Sequence, residues 1–349
     1  QTGFSQTASI HQKNYNVRGD TAITQTGNDN LAEIDQTWSG GSSAAVIQAG
    51  NDNVAGIDQY NSDDSSADID QNGSSLSASI SQKNAPGVGQ GLGNGATIDQ
   101  TGSDNTASVD QDGYENVASV TQSDSDNNVS VAQTGDANSA TVEQTGTEQL
   151  ATVNQSSDNS TALVTQSGFS NDATVNQMGD TNSATVDQSG SDQLATVDQD
   201  NNGNNADVTQ SGSDQIAAVN QSGNSNGADV TQTDSFNEAY IMQGGDDNAA
   251  TVSQSGTEQV ARVNQSGNFN DSDILQSASM NSADIAQSGE YNEADIDQSG
   301  TLNEAFINQS GMGTDLAVNA AVITQSAAMD YASITQMGGA GNSATITQQ

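Results

Sequence analysis

Hydrophobic and polar positions follow a unit that recurs at every eleventh residue along this chain. From Gln100 to Gln309 a glutamine returns at that spacing over 19 consecutive intervals. Counted from each glutamine, the ninth position is Val or Ile in all 19, and the seventh is Ala in 17, with Val129 and Ser272 as the departures. The fifth position is mostly Asn, and the second is Gly in 14. A residue pattern that keeps the same spacing over so many repeats predicts an ordered repeat rather than a disordered chain.

Each unit predicts one β-strand and one turn. In the pattern N-x-A-x-V-x-Q the Asn, Ala, Val and Gln alternate with polar residues, so the four share one face of a strand. The x-G-x-x that follows predicts a turn, because Gly adopts positive φ at little steric cost. Eleven residues accommodate a strand of about seven residues and a turn of about four. The repeat lacks the three- and four-residue apolar spacings of a helix.

Two units make a strand-turn-strand coil of about 22 residues, and stacked coils bring each Val beside its equivalent one coil later, at ~4.8 Å. We therefore predict an all-β fold, a two-sheet β-solenoid with cross-β spacing, an Ala/Val core and Asn/Gln ladders. In such a ladder, each buried amide bonds to the identical amide on the next coil, which rewards in-register stacking. A single coil buries too little apolar surface to be stable alone, so neighbouring coils must stabilise it.

The pattern assigns the inward-facing positions. The core of the central coils is predicted at Ala173, Val175, Ala184, Val186, Ala195 and Val197. The glutamine ladder is predicted at Gln100, Gln111, Gln122, Gln133, Gln144, Gln155, Gln166, Gln177, Gln188, Gln199, Gln210, Gln221, Gln232, Gln243, Gln254, Gln265, Gln276, Gln287, Gln298 and Gln309.

Changes in repeat spacing predict the domain organisation. We expect one solenoid over residues 1–349, with less regular repeats in 1–99 and a loop insertion near 83–95, where Pro86 and several glycines cluster. Regular half-repeats occupy 100–310, and 311–349 holds the C-terminal repeats after a short loop insertion.

Composition excludes several classes of function. The chain has 45 acidic and 4 basic residues and a formal net charge of −41, which opposes binding to nucleic acid and to anionic lipid. It has no Cys and a single His, His11, so thiolate metal sites and disulfides are excluded. No nucleophile and base are recognisable as a pair, no apolar run has the length of a membrane-spanning helix, and no cofactor, metal or catalytic site is predicted.

Two ligand-binding interpretations are weaker than the structural one. Calcium-binding solenoids need an acidic G-G-x-G-x-D unit with a period of nine, whereas Gly244-Gly245-Asp246-Asp247 stands alone in a repeat of eleven. Ice-binding solenoids carry columns of Thr-x-Thr. Here Thr152, Thr174 and Thr196 follow one another at the spacing of one coil, but Ala218 ends the series.

The terminal repeats lack the polar capping units of soluble repeat proteins. The sequence opens inside a repeat and closes on an intact strand motif, so open strand edges are expected at both ends. Contact between such edges is heterologous and builds a fibre. The expected fibre-end contacts are Gln6, Ala8, Ile10, Gln12, Asn342, Ala344, Ile346 and Gln348.

The repeats of this chain resemble those of the curlin family, whose major member is the subunit of curli, a bacterial extracellular functional amyloid. The family repeat S-x5-Q-x-G-x2-N-x-A-x3-Q is met throughout by the segment from Ser160 to Gln177, with Gln166, Gly168 and Asn171 in place. Elsewhere the opening Ser is usually Asn or Gln. The resemblance covers nearly the whole chain, but with more repeats than curli subunits typically have.

The leading hypothesis is a self-assembling structural subunit of curli-like fibres in the biofilm matrix, active in adhesion and not an enzyme. The resemblance implies secretion through a dedicated outer-membrane channel, nucleation by a minor curlin-like subunit, and an extracellular, cell-surface location for a mature chain without signal peptide. The less acidic N-terminal quarter, with Lys13, Arg18 and Lys83, is a candidate contact for these partners. The alternative is a secreted monomeric solenoid acting as an adhesin or as a ligand- or ice-binding module.

Overall fold

The structure is a computed structural model that describes residues 1–13, 19–84 and 93–349. Over these ranges the chain forms 31 strands and no helix, and no segment of them has the helical length and hydropathy of a membrane span. Two compact units are distinguished, Gln1–Asp180 and Thr181–Gln349, and each is described by itself.

Strands follow one another at the spacing of the sequence repeat. In the first unit they are β1 Thr2–Phe4, β2 Thr7–Lys13, β3 Thr21–Asn28, β4 Leu31–Thr37, β5 Ser43–Asn51, β6 Val54–Tyr60, β7 Ser66–Ser74, β8 Ser77–Lys83, β9 Gly95–Ser103, β10 Thr106–Asp112, β11 Val117–Ser125, β12 Asn128–Thr134, β13 Ser139–Thr147, β14 Leu150–Gln155, β15 Thr161–Phe169 and β16 Asp172–Gln177. In the second unit they are β17 Ser183–Ser191, β18 Leu194–Gln199, β19 Asn205–Ser213, β20 Ile216–Gln221, β21 Gly227–Ser235, β22 Glu238–Gln243, β23 Ala249–Ser255, β24 Val260–Gln265, β25 Asp271–Gln276, β26 Ser282–Gln287, β27 Asn292–Gln298, β28 Glu304–Gln309, β29 Asn319–Gln325, β30 Tyr331–Gln336 and β31 Ser343–Gln348.

Alternate strands build two separate sheets in each unit. In the first unit the odd-numbered strands from β1 to β15 pair in order, and the even-numbered strands from β2 to β16 do the same. In the second unit one sheet runs from β17 to β31 and the other from β18 to β30. Pairing is parallel, and in the regular region Ala140 lies opposite Ala162 and Gln144 opposite Gln166, one coil further along the chain. The chain therefore crosses from one sheet to the other at every turn.

The core of each unit is a narrow column of small and β-branched side chains. Val142 and Val153 are fully buried in the first unit, and Val208 and Ile241 are at most 1% exposed in the second. Residues between them point outward and keep partial exposure, as the pattern iBiBeB of β20 shows. The predicted two-sheet β-solenoid with an Ala/Val core is thus confirmed.

Strand lengths differ from the prediction of seven residues with a four-residue turn. From β5 to β21 the odd strands have nine residues, and the even strands have six or seven. In β13 the extra residues are Thr145, Gly146 and Thr147, which continue the parallel pairing beyond the ladder glutamine. Gly positions on one side of the coil therefore lie in strands rather than in turns.

The two predicted loop insertions have different outcomes. Most of the first, 85–92, lies outside the described residues, as does Arg18. The second falls between β28 and β29, where Thr314 and Ala317 exchange backbone hydrogen bonds of 3.1 and 3.0 Å. The division of the chain at residues 99 and 310 stays a prediction.

Candidate functional site

The buried glutamines form ladders that run from coil to coil. Gln232 is fully buried, and its Nε2 donates to Oε1 of Gln254 at 2.8 Å. Its own Oε1 accepts from Nε2 of Gln210 at 2.8 Å. The same Nε2 also donates across the core to the carbonyl of Ile216 at 3.0 Å. Each amide therefore joins the next coil and the facing sheet at once.

The glutamine ladder has a direction. In the first unit Gln100 donates to Gln122, and Gln122 donates to Gln144, at 2.7 and 2.9 Å. In the second unit Gln276 donates to Gln298 in the same sense at 2.8 Å. At each of these rungs an N–H points toward the coil that is later in sequence, and a carbonyl toward the earlier one. A coil's two faces are complementary to each other and not to themselves.

The asparagines form a second set of ladders with different bonding. Oδ1 of Asn116 accepts the backbone N–H of Asn138 on the next coil at 3.0 Å, and Nδ2 of Asn116 donates to the carbonyl of Gly135 at 2.8 Å. In the second unit Asn204 bonds the N–H of Asn226 at 3.0 Å and the carbonyl of Gly223 at 2.8 Å. These Asn side chains thereby satisfy main-chain groups of the equivalent turn one coil later, whereas among the described residues Nδ2 of Asn248, Asn281 and Asn303 is buried without a partner.

Glutamine is not equivalent to asparagine in this column. The sequence pattern treated Asn and Gln at this position alike, yet among the described residues Oε1 of Gln149 and Oε1 of Gln259 are buried without a hydrogen-bond partner. The additional methylene of Gln carries the carbonyl away from the N–H that an Asn would bond. Burying such an acceptor without a partner costs about 1–3 kcal/mol.

Glycine is required in the extended strands for a reason beyond its φ. At Gly146, where φ is 120°, a Cβ would lie 2.1 Å from the carbonyl oxygen of Gly168 on the next coil. Gly190 meets the carbonyl of Gly212 in the same way, at 1.9 Å. The neighbouring backbone occupies the space that a side chain would need.

One turn residue in most repeats is left-handed although it is not Gly. The sequence pattern does not reveal it, because the pattern predicts positive φ only at Gly. Immediately before the ladder Asn or Gln, non-glycine residues take φ near 55–60°, among them Asp104, Glu148, Phe236 and Leu302. Polar residues tolerate this region best. Because the position accepts Asp, Ser, Phe and Leu alike, its composition carries no signal that could have revealed it.

Carboxylates stack on the outer faces. Asp207 lies opposite Asp229, and Asp273 opposite Asp295, on adjacent strands. Partial burial, with smaller contributions from nearby carboxylates, raises the pKa of Asp229, Asp273 and Asp295 above the usual value. No group of three or more acidic or histidine side chains in the described ranges is placed to hold a metal ion.

Few cations offset this charge. Lys83 forms an exposed ion pair with Asp112 at 3.2 Å, which is worth little in water. Arg262 lies 5.5 Å from the ring centroid of Tyr240 on the adjacent strand. The outward Thr column is short, since Thr152 lies opposite Thr174 but Thr196 lies opposite Ala218.

The structure places the sequence-predicted residues as follows. The ladder glutamines from Gln100 to Gln309 are at most 1% exposed, and the six predicted core residues from Ala173 to Val197 are likewise buried. The proposed fibre-end residues lie on β2 and β31 or directly before them, where side chains are more exposed: Ile10 is 43% exposed, and Ile346 is intermediate. Their role in a fibre contact stays a prediction.

Regular coils, parallel in-register pairing and buried amide ladders are the features of a repeat protein. The curlin associated repeat model matches residues 90–113, 102–135, 135–168, 169–200, 202–233, 235–256, 261–289 and 291–319. These segments cover more than half of the chain, which therefore belongs to the curlin-repeat family. A comparison with curated proteins found no match.

Proposed function

We propose that this protein is a structural subunit of extracellular curli-like amyloid fibres and that it grows them by head-to-tail stacking of solenoid edges. The observation that carries the proposal is the directed glutamine ladder. Membership of the curlin-repeat family and the two-sheet fold both support a structural role.

The two faces of a coil offer complementary hydrogen bonds. A face toward earlier sequence presents amide carbonyls such as Oε1 of Gln232, and a face toward later sequence presents amide N–H groups such as those of Gln254. Parallel strand edges add unpaired backbone groups of the same spacing. A second copy stacked in the same orientation meets every acceptor with a donor, whereas a reversed copy does not.

Apolar burial favours the same contact. Ala8 and Ile10 on β2 follow the inward pattern but are exposed, while the equivalent Ala32 and Ile34 on β4 are fully buried. Covering a half-exposed Ile and its neighbours with another coil removes apolar surface from water at about 25 cal/mol per Å². The net charge of −41 opposes the approach of two copies, so salt should favour association.

Partners and location follow from the family rather than from the contacts of this chain. We propose export through an outer-membrane curli channel, nucleation by a curlin-like subunit at the cell surface, and a place in the biofilm matrix. The hydrogen-bonding groups and apolar side chains described above support self-stacking.

Assembly is tested by diluting denatured protein into buffer and following an amyloid-reporting dye and electron microscopy, with and without preformed seeds. We expect a lag that seeds abolish and thin unbranched fibres. A clear solution of β-rich monomer would contradict the proposal and favour the adhesin or ligand-binding alternative.

A matched pair of variants tests whether the side chains that face the core in the folded chain also face the core in the fibre. Val186 is fully buried and Thr185 points outward beside Asp207. Val186→Lys should abolish seeded growth because it buries a charge in the core. Thr185→Lys, which adds the same charge outside, should leave growth nearly unchanged, and equal effects would contradict the proposed packing.

A further inference from the structure

Four Asn–Gly steps occur in the chain, at Asn72, Asn94, Asn202 and Asn226. At such a step the backbone nitrogen of Gly is unhindered and can attack Cγ of the Asn side chain. The new N–Cγ bond displaces Nδ2 as ammonia, and water then opens the succinimide at either carbonyl to leave Asp or isoaspartate. Asparagine is among the thermolabile residues for this reason.

The ladder holds both reacting groups of Asn226. Asn226 is 1% exposed, its Nδ2 donates to the carbonyl of Gly245 at 2.8 Å, and its Oδ1 accepts from the N–H of Asn248 at 2.9 Å. The attacking nitrogen is also engaged, since the N–H of Gly227 donates to the carbonyl of Asn248 at 2.8 Å. Attack therefore requires the coil to separate from its neighbour.

Asn94 is held in the same way in the first unit. Its Nδ2 donates to Gly113 at 2.9 Å and to Oδ1 of Asn84 at 3.0 Å. Its Oδ1 accepts from the N–H of Asn116 at 3.0 Å, and the N–H of Gly95 donates to the carbonyl of Asn116 at 2.8 Å. Two independent coils thus show one arrangement.

Asn202 is also hydrogen-bonded, since its N–H donates to Oδ1 of Asn224 at 3.2 Å and its carbonyl accepts from the N–H of Ser225 at 3.0 Å, but this step differs from the other two in its exposure and at its Gly. It lies in an exposed turn, and Gly203 beside it is exposed with φ of +70°. Within the described residues the N–H of Gly203 donates to no acceptor, in contrast to the N–H groups of Gly95 and Gly227. Among the four steps, exposure and an unengaged nucleophile come together at this turn. The fourth step, Asn72, is exposed within paired strand β7.

We propose that coil stacking protects Asn94 and Asn226 from deamidation and leaves Asn202 as the deamidation site of the folded chain. Deamidation of Asn226 replaces the donor Nδ2 by a carboxylate oxygen that faces the carbonyl of Gly245, and isoaspartate inserts a methylene into the backbone of the rung. A chain modified there before folding loses the ladder at that coil. The unfolded chain therefore has a limited time in which to fold, independently of fibre assembly.

The test incubates the full chain in mildly alkaline buffer, folded or in urea, and follows each Asn–Gly fragment by mass spectrometry with separation of Asp from isoaspartate. Asn94 and Asn226 should react at least about tenfold slower in the folded chain than in urea, which corresponds to an opening cost of about 1.4 kcal/mol. Asn202 should react at similar rates in both states. Equal rates at Asn226 in the two states, or a folded chain in which Asn202 is as slow as Asn226, would overturn the proposal.

Two variants that imitate the product complete the test. Asn226→Asp and Asn202→Asp add the same charge, one in the ladder and one in the turn. Asn226→Asp should slow refolding, measured by circular dichroism after dilution from urea, whereas Asn202→Asp should refold like the unmodified chain. Indistinguishable refolding of the two variants would overturn the assigned consequence of damage at the ladder.

Discussion

At the scale of the single residue, a fully buried glutamine is stable here because an identical glutamine lies one coil away on each side. Gln232 gives its N–H to Gln254 and takes one from Gln210. Neither bond exists in an isolated coil. The energetic value of the residue is therefore a property of the stack.

Replacing Gln232 with Leu tests that dependence. The substitution removes the donor to Gln254 and the acceptor for Gln210, and each buried group left without its partner costs about 1–3 kcal/mol. We expect the free energy of unfolding, measured in guanidinium, to fall by about 2–6 kcal/mol. Thr231→Leu is the control, because Leu275 already occupies the same outward row two coils on. It should change stability by less than about 0.5 kcal/mol.

The strand glycines give a second residue-scale prediction. Gly146→Ala places a Cβ against the backbone of Gly168, which cannot move away without breaking its own pairing. We expect a lowered thermal unfolding temperature. Gly56→Ala is the matched control, since no atom lies within 4 Å of the position that its Cβ would take, and it should be neutral or stabilising by about 0.4–1 kcal/mol. A tolerated Gly146→Ala would contradict the steric requirement.

Inward residues were predictable from sequence, and turn conformation was not. A period of two assigns Ala and Val to the core without ambiguity, as Ala206 and Val208 on β19 show. Turn φ values depend on how two coils meet, so residues as different as Asp104 and Leu302 share one conformation. The direction of the ladder was equally hidden, because a Gln has both a donor and an acceptor.

At the scale of the element, the asparagine column determines how well consecutive turns are joined. Oδ1 of Asn237 accepts the N–H of Gln259 at 3.1 Å, but Gln259 does not repeat that bond for the next coil. The sequence could not distinguish these rungs, because Gln and Asn carry the same amide and differ only in reach.

Gln259→Asn should repair this interruption. The shorter side chain places its carbonyl where it can accept the N–H of Asn281, a bond worth about 0.5–1.5 kcal/mol. We expect slower hydrogen exchange at that amide and a higher midpoint of unfolding. The reverse change one coil earlier, Asn237→Gln, should speed hydrogen exchange at the N–H of Gln259 and lower the midpoint of unfolding. Opposite signs are required, and the same sign in both variants would contradict the role of side-chain length.

At the scale of the whole molecule, charge sets the response to pH. Asp273 and Asp295 lie together with Asp271, Glu293 and Asp297 on paired strands β25 and β27, with the uncharged residues Thr251 and Val322 on the flanking strands. Burial first, and then these neighbouring carboxylates, raises the pKa of Asp273 and Asp295 above 3.8.

The sign of the pH effect follows. The folded chain binds these protons more tightly than the unfolded chain, so stability rises as pH falls from neutral through the raised pKa toward 3.8, and declines as pH rises. The double variant Asp273→Asn/Asp295→Asn should be more stable at neutral pH and should flatten this dependence in urea titrations. Asp187→Asn, an exposed position opposite Thr209, should leave the slope almost unchanged. An unaltered slope in the double variant would contradict the electrostatic account.

The constant offset between paired strands of the regular region has a genetic consequence. Excision of one whole coil between two ladder glutamines, such as Gln210 and Gln232, would join an odd strand to an odd strand and leave every remaining rung bonded to an identical one. Excision of half a coil would instead place a six-residue even strand in a sheet of longer odd strands. Unequal recombination between repeats can therefore lengthen or shorten this protein in whole coils without a change of fold. Natural variation in the length of its gene should therefore occur in steps that encode one whole coil, and steps that encode half a coil should be rare.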